Sequence, residues 1–338
     1  SSDLIARMGY SYGAPTVVKT QKYGWVVIFT SGYNNSDGKG YFFLVNPRTG
    51  ALLETIATTT GTAAAPLNLA HADAYIPNHT DFTADAVYGG DLQGNLWRLD
   101  LSTTTSAYSS PTALASLYKT AGTPQPVTTR PLIEVDPTTS KCYVLVGTGR
   151  LLADSDISST AIQSIYSVYD GTSGFGGFQA ATTYSPVLTR SALVNNTDML
   201  TGIGSNPSTS AGWYFDLSVS SSSPYLAERI NVNPVAYSGV ALFGVNLPNG
   251  SICSPSGTGY IAGFNISTGK SILQDSTGTF IAKSTAMTGV ITDLAIQNVN
   301  GKVRVIAGDS GGNTVTTPSS LVTTSGVKRM NWREVPTQ

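Results

Sequence analysis

The stretch YGGDLQGN at residues 88–95 combines glycines, a carboxylate and amides, which suit either a ligand-binding loop or a tight turn between two strands. A carboxylate at Asp91 could bind a metal ion or act as a general base. The stretch AGDSGGN at residues 307–313 repeats the pattern, with Asp309 in the place of Asp91. A unique active site would not recur in a distant segment, so we expect both aspartates to accept backbone N–H groups. We therefore predict five structural turn residues: Gly90, Asp91, Gly94, Asp309 and Gly312.

Other residues with catalytic chemistry are few and lack supporting patterns. His71 and His79 are the 2 histidines, and without an HExxH pattern we interpret both as loop residues. Asp154 and Asp156 follow a strand-like run and are predicted to accept backbone N–H groups in a turn. GTGR at residues 147–150 matches no phosphate-binding pattern, and no GxSxG motif occurs. The sequence therefore predicts no catalytic residue, and we expect no enzyme activity.

Aromatic side chains are candidates for binding or for packing. Most occupy alternate positions of strand-like runs, where packing between sheets explains them. Tyr10, Tyr12, Tyr33 and Tyr118 fall between such runs, so they are the better candidates for an exposed contact surface.

Composition narrows the class of partner. Charged residues make up 12% of the chain, against about 25% in typical soluble domains, and the net charge is −1. Without a basic block, neither nucleic acid nor an anionic membrane is the expected partner. Cys142 and Cys253 form no CxxC motif, and they pair as one disulfide or remain two buried thiols. No apolar run reaches the ~20 residues of a membrane span, and the beginning of the chain suggests a cut from a longer exported precursor.

Strand-like runs recur along the chain between Gly, Asn, Asp and Pro turns, and helical periodicity is almost absent. VNPRTGALL at residues 45–53 matches FNISTGKSI at residues 264–272, which adds a second pair of related turns. Repeated strand pairs of this kind predict an all-β fold, a modified β-propeller with about seven blades of roughly 40–50 residues. We predict a single domain over residues 1–338, with irregular insertions at 102–126 and 171–198 outside the blades.

The order of the motifs resembles a known family. MGYSYGAPTV, WVVIFTSGYN, YGGDLQGNLWRLDL, QPVTTRP, VLVGTGRLL, GWYFDL, GYIAGFN and MNWREV occur in the order found in the C-terminal domain of the PilY/PilC proteins. These proteins are biogenesis factors and adhesins at the tip of type IV pili. The resemblance covers nearly the entire chain, and it implies a seven-bladed modified propeller and a role in the balance between pilus extension and retraction.

The resemblance also raises the question of calcium, because many members of this family carry a calcium loop just before the motif that contains Asp91. Aligning the ninth loop position on Asp85 places Asp81 fifth, His79 third and Pro77 first, which leaves two of four side-chain ligands missing. Asn78, Asp81 and Asp85 are therefore weak calcium candidates. We predict that the site is lost, that side-chain to backbone hydrogen bonds hold the loop, and that no cofactor is bound.

The resemblance implies a non-enzymatic pilus scaffold that supports pilus assembly, twitching motility and adhesion. Its expected partners are minor pilins and a host-cell or abiotic surface, and its expected location is the pilus tip, the outer surface or the periplasm. Two alternatives remain. The Thr-Gly turns at residues 49–50 and 268–269 resemble those of quinoprotein dehydrogenases, but the adjacent cysteine pair common in those enzymes is absent. The other alternative is a glycan-binding surface module.

Overall fold

The computed structural model describes residues 7–77, 80–120, 123–174, 177–179, 187–196, 211–219, 226–251, 254–299 and 302–316. Within these ranges the regular secondary structure is almost entirely β-strand, and it includes a short helix at Asp154–Ile157 and a 3₁₀ turn at Arg190–Ala192. The prediction of an all-β fold is confirmed. No helix within the described ranges is long and apolar enough to cross a membrane.

The first two sheets are each built on a four-stranded antiparallel meander, in which each strand pairs with the next along the chain. Sheet I contains β1 (Thr16–Thr20), β2 (Gly24–Thr30), β3 (Tyr41–Val45) and β4 (Leu52–Ala57). Sheet II contains β5 (His71–Tyr75), β6 (Ala86–Gly90), β7 (Asn95–Asp100) and β8 (Thr112–Ser116). A small two-stranded ladder follows sheet II and is formed by β9 (Tyr118–Thr120) and β10 (Thr123–Pro124).

The third sheet is larger and is interrupted by helical turns. Sheet III and the segments around it contain β11 (Leu132–Val135), β12 (Lys141–Gly147), helix α1 (Asp154–Ile157), β13 (Ser164–Gly174), β14 (Gly177–Gln179), β15 (Leu188–Thr189), a 3₁₀ turn (Arg190–Ala192), β16 (Val194–Asn195) and β17 (Gly212–Asp216). The order across sheet III is β11-β12-β13-β17-β16, β14 pairs with β13, and β15 pairs with β8 of sheet II.

Sheets IV and V complete the described part of the chain. Sheet IV contains β18 (Val235–Tyr237), β19 (Val240–Ser251) and β20 (Ser254–Asn265), and it is followed by a two-stranded ladder of β21 (Leu273–Gln274) and β22 (Phe280–Ile281). Sheet V contains β23 (Ile291–Val299), β24 (Lys302–Asp309) and β25 (Thr314–Thr316).

Each core cluster lies between two consecutive sheets. Because side chains alternate between the faces of a strand, Val87 of β6 packs toward sheet I and Tyr88 packs toward sheet III. A third cluster joins Trp213 of sheet III to Phe264 of sheet IV, and a fourth joins sheets IV and V. Burying each large apolar side chain stabilises the fold by about 1.5–3 kcal/mol. Sheets buried on both faces explain why strands such as YVLVG read as continuous apolar runs.

The first strands of the sheets contact one another in turn: β1 with β5, β5 with β11, β11 with β18, and β18 with β23. These strands therefore lie innermost, and the sheets stack face to face around them. This is the architecture of a β-propeller, as the repeats predict, and the sheets are called blades I to V below. The described residues form five sheets of three or more strands, and the total of seven blades stays a prediction.

The prediction that residues 102–126 and 171–198 lie outside the blades was wrong in part. Strand β8 falls within the first segment and is the fourth strand of blade II, where Leu114 and Ala115 are buried. Strands β15 and β16 fall within the second segment and pair with the outer strands of blades II and III. Their shortness, two residues each, gives no recognisable alternation in the sequence.

Candidate functional site

The turn between β6 and β7 is organised by the carboxylate of Asp91. Its Oδ1 accepts hydrogen bonds from the backbone N–H groups of Gln93 and Asn95, both at 2.9 Å. Its Oδ2 accepts one from Nδ2 of Asn95 at 2.9 Å and one from Nε1 of Trp97 at 2.8 Å. All four donors belong to the protein and Asp91 is fully buried, so this carboxylate has no free oxygen directed to a ligand.

Asp309 accepts the same pair of backbone N–H bonds in the turn between β24 and β25. Its Oδ1 accepts from the backbone N–H groups of Gly311 at 2.9 Å and Asn313 at 2.8 Å. A third copy, which the sequence comparison missed, follows β21: Asp275 accepts from the N–H groups of Thr277 at 2.8 Å and Thr279 at 3.0 Å. Threonine stands there in place of the final asparagine, but the Asp-x-x-Gly spacing was a usable signal.

Two of the glycines serve this turn through their backbone conformation. Gly94 and Gly312 have φ angles of 77° and 81°, in the left-handed region that glycine adopts without strain. Gly90, in contrast, is the last residue of β6 and not a turn residue, which corrects the prediction for it. Its lack of a side chain lets Val127 approach, since a Cβ at Gly90 would lie 2.6 Å from Cβ of Val127.

Asp91 and Asp309 occupy the same kind of turn, but their electrostatic surroundings differ. Burial raises the pKa of Asp91 to about 6, against the lowering effect of the bonds from Trp97 and Asn95. At Asp309 the hydrogen bonds from Asn313 hold the pKa below its usual range. Opposite shifts in one repeated turn indicate that the turn supplies the geometry and that the surrounding blade determines the pKa of its aspartate.

A buried polar cluster that sequence reasoning missed joins blades II and III. The hydroxyl of Tyr88 donates to Oδ2 of Asp170 at 2.8 Å, and NH1 of Arg98 donates to Oδ1 of Asp170 at 2.5 Å. Burial raises the pKa of Asp170, while Arg98 opposes that shift. Tyr88 lies 82 residues and Arg98 lies 72 residues before Asp170 in the chain. No local sequence motif could therefore indicate the cluster.

The acidic loop before β6 is described only in part. Asn78 and His79 lie outside the described residues. Asp81 is exposed and its Oδ1 accepts the N–H of Thr83 at 2.9 Å. Asp85 is half-buried, and its backbone pairs with Tyr75 and Leu101. Within the described ranges, no three His, Cys, Asp or Glu side chains lie close enough together to hold a metal ion.

The histidine prediction needs one correction. His71 is not in a loop, because it begins β5, the inner strand of blade II, and is half-buried. Burial and the nearby Arg130 guanidinium lower its pKa, which favours the neutral form of the ring. Arg130 in turn pairs with Asp73, with 3.5 Å between Nε and Oδ2.

The segment after β12 forms a fixed helical turn. Asp154 and Asp156 both fall in helix α1, and Oδ2 of Asp156 accepts the N–H groups of Leu152 at 2.9 Å and Ala153 at 3.0 Å. Arg150 pairs with Asp156 at 2.7 Å. These bonds lower the pKa of Asp156, with the Arg150 side chain the strongest favourable contributor. The carboxylate is therefore used to hold the loop.

A buried arginine, Arg229, holds the loop around helix α1 by bonds to its backbone carbonyls. Arg229 is 2% exposed, and its guanidinium donates to the backbone carbonyls of Arg150 at 2.9 Å and Ser159 at 3.3 Å. Burial lowers its pKa, and the carbonyl dipoles compensate for part of the lost hydration. The loop is thus held near both of its ends by the same guanidinium.

The four candidate tyrosines separate into two groups. Tyr10 and Tyr12 are each 65% exposed, on a segment fixed by paired backbone bonds between Tyr10 and Tyr33. Tyr33 is buried, which corrects the prediction for it, because the Tyr12 ring lies against it at 5.4 Å between centroids. Tyr118 is also not in a loop but in β9, where it is half-buried.

The structure describes one of the two cysteines, Cys142. Cys142 is a buried free thiol in β12, and burial raises its pKa well above the ordinary value. A thiol in this state is a poor nucleophile. Cys253 lies outside the described residues.

The fold and these loops define a β-propeller with repeated Asp-x-x-Gly turns and with exposed tyrosines, Tyr10 and Tyr12, on its surface. Residues 2–201, more than half of the chain, match the family model described as the PilY1 beta-propeller domain. The chain therefore belongs to the PilY1 β-propeller family, which confirms the resemblance to PilY/PilC proteins seen in the sequence.

Curated relatives agree with this assignment, and a solved structure agrees with the fold. The chain is 28% identical over 273 residues to a type IV pilus biogenesis factor PilY1 homolog of Xylella fastidiosa, covering 75% of the chain and 18% of the relative. It is 26% identical over 304 residues to PilY1 of Pseudomonas aeruginosa PAO1, covering 78% and 26%. The crystal structure of the P. aeruginosa PilY1 C-terminal domain superposes with a TM-score of 0.72 at 23% identity, covering 94% of this chain and 74% of that one. The chain thus spans only 18% and 26% of the length of these two curated relatives.

Proposed function

We propose that this chain is the propeller domain of an exported type IV pilus biogenesis factor and acts there as a non-enzymatic scaffold. The observation that carries the proposal is the family match over residues 2–201. The names of the full-length relatives support a role in pilus biogenesis. The propeller would lie at the pilus tip, on the outer surface or in the periplasm, with minor pilins as its partners.

The geometry suits a scaffold because the blades are fixed to one another. Apolar clusters fill the space between consecutive blades, and the Tyr88–Asp170 hydrogen bond and the Arg98–Asp170 ion pair add directional links between blades II and III. A fixed frame of this kind limits the conformational entropy that loops lose when they bind a partner. The propeller would thereby support assembly and the balance of pilus extension and retraction.

The test is a deletion of this domain from the full-length protein in its own bacterium, followed by complementation. We expect fewer surface pili and reduced twitching motility without the domain, and restoration by the intact gene. A full-length protein with Trp25→Ala, an exposed side chain at 49%, serves as a control that should restore both. Normal pili and motility in the deletion strain would contradict the proposal.

A second candidate function is glycan or surface adhesion through the fixed tyrosines. It is favoured by the 65% exposure of both Tyr10 and Tyr12, since rigid aromatic rings bind sugar or protein surfaces at low entropic cost. The double variant Tyr10→Ala/Tyr12→Ala should lose binding on an array of neutral glycans. Trp25→Ala/Phe82→Ala removes two other rings of 49% and 45% exposure and should retain it. Equal binding by both variants would exclude this surface.

A further inference from the structure

Residues 187–196 form a strap that crosses the outer edges of two blades. At its beginning, β15 runs parallel to β8 of blade II, with Leu188 opposite Ala115. At its end, β16 runs parallel to β17 of blade III, with Val194 opposite Trp213. The following residue, Asn196, donates its backbone N–H to the carbonyl of Tyr214 at 2.8 Å and its side-chain amide to the carbonyl of Gly269 beyond blade IV.

The strap covers edges that would otherwise be open. Strands β8 and β17 are the last antiparallel strands of their blades, and an uncovered outer strand presents unpaired N–H and C=O groups to any extended chain. The two strap strands are only two residues long and parallel. Backbone pairing of this length is weak, so the strap needs a further attachment.

That attachment is the side chain of Arg190, between the two strap strands. Its NH2 lies 2.5 Å from Oδ1 of Asp216, the last residue of β17. Its NH1 donates to the hydroxyl of Tyr166 at 3.0 Å and to Oγ of Ser164 at 3.2 Å. The guanidinium carbon lies 3.6 Å from the centroid of the Tyr214 ring, a short cation–π distance.

Apolar contacts complete the attachment. Leu188 and Leu193 are 9% and 8% exposed and belong to the core between blades II and III. Between them lies Arg190, whose side chain is 12% exposed. The strap is therefore held by two leucines in the core and by one cation in a polar recess.

We propose that residues 187–196 are a releasable strap with Arg190 as its latch, and that its release opens the edges of β8 and β17 to an extended segment of a partner protein. The strap itself shows the chemistry that fits: a chain running parallel to both strands, with an arginine between two leucine-sized side chains. Loss of the latch leaves Asp216 without this cation in a recess that is largely closed to solvent, which favours release of the whole segment. The partner would bind by strand addition.

Hydrogen–deuterium exchange of the full chain tests the latch. In Arg190→Ala, we expect the amides of residues 112–116, 188–196 and 212–216 to exchange at least tenfold faster, while β12 is unchanged. Lys283→Ala is the matched control, because Lys283 also pairs with a buried carboxylate, Glu228, and lies 4.9 Å from the Tyr260 ring centroid. It should leave the exchange of all three segments unchanged.

Peptides test the opened edges directly. Excess synthetic peptide VLTRSALVNN, the sequence of residues 187–196, should restore protection of 112–116 and 212–216 in Arg190→Ala, and the same peptide with glutamate in place of its arginine should not. If Arg190→Ala does not fold, exchange of the unaltered protein in low denaturant decides. The strap amides should then open together, before those of β12. Protection of the strap equal to that of β12, or no effect of the peptide on a folded variant, would overturn the proposal.

Discussion

The indole N–H of Trp97 is directed at the carboxylate of Asp91, six residues earlier, and donates to its Oδ2 at 2.8 Å. This bond joins the turn between β6 and β7 to the core between blades I and II, to which Trp97 belongs. In the corresponding turn of blade V, Val315 occupies the sequence position of Trp97, and a valine side chain has no N–H to donate. The two turns share their backbone pattern and differ in this attachment.

The first prediction compares these two turns. Asp91→Asn exchanges one acceptor oxygen for an N–H₂ group facing buried donors, and we expect a loss of about 1–3 kcal/mol in the free energy of unfolding. Asp309→Asn makes the same exchange in a turn that has no tryptophan donor, so we expect a smaller loss in the free energy of unfolding. Urea denaturation followed by circular dichroism measures both. Equal losses would show that the Trp97 bond is unimportant.

The second prediction concerns the glycines of the same turns. Gly94→Ala and Gly312→Ala both place a side chain at positive φ, which costs about 1–2 kcal/mol. An added Cβ at Gly312 meets no atom within 4 Å, but at Gly94 it approaches the carbonyl oxygens of Leu117 and Gln125. We therefore expect a clearly larger loss at Gly94 in thermal unfolding. A loss at Gly312 as large as that at Gly94 would contradict the close-packing argument.

The third prediction concerns the polar cluster between blades II and III. Asp170→Ala leaves the Arg98 guanidinium and the Tyr88 hydroxyl without their buried acceptor, and we expect a loss of about 3–5 kcal/mol. Tyr88→Phe removes one donor and should cost about 1–2 kcal/mol. Both substitutions remove the Tyr88–Asp170 hydrogen bond. Tyr88→Phe should therefore lower the free energy of unfolding much less in the Asp170→Ala background than in the original protein. Additive losses in urea denaturation would show that the two side chains act independently.

The local turns were accessible from the sequence because each closes within a few residues. Asn46 accepts the N–H groups of Arg48 at 2.9 Å and Thr49 at 3.1 Å, and Asn265 does the same for Ser267 and Thr268. Donor and acceptor lie in one short motif, so the matching stretches imply matching geometry. Strand pairs and the all-β class follow from the same short-range pattern.

Contacts between distant segments were not accessible in this way. Tyr33 lies in a glycine-rich stretch that suggests exposure, but Tyr12 and the backbone of Tyr10 cover it. Arg190 and Asp216 meet across 26 residues, through an edge strand too short to show periodicity. The burial of Tyr33 and the Arg190–Asp216 pair depend on how distant segments pack on each other, and residue spacing along the sequence does not predict such packing.

The fourth prediction concerns calcium at the loop that contains Asp81 and Asp85. We expect that calorimetric titration of calcium into chelator-treated protein gives no micromolar binding, because two of the four aligned side-chain ligand positions are occupied by His79 and Pro77. Asp81→Ala/Asp85→Ala is the matched variant. Micromolar binding that disappears in this variant would show that the loop holds the ion by a different set of oxygens.

The fifth prediction uses the pH dependence of stability. Glu134 of β11 is half-buried, and burial raises its pKa to about 7, above the ordinary value of 4.5. The folded protein therefore holds a proton that the unfolded chain has released between these values, so stability falls as pH rises from 4.5 to 7 and levels off above that. The contribution is roughly 3 kcal/mol from the size of the pKa shift.

Glu134→Gln removes the ionisable group while keeping the shape of the side chain, so it isolates this contribution from the other buried carboxylates. We expect the variant to match the original protein near pH 4.5 and to be the more stable of the two at pH 8. Urea denaturation at intervals across this range gives the difference in unfolding free energy directly. A difference that does not change with pH would mean that Glu134 ionises at its ordinary pKa, with water reaching the carboxylate between the inner strands.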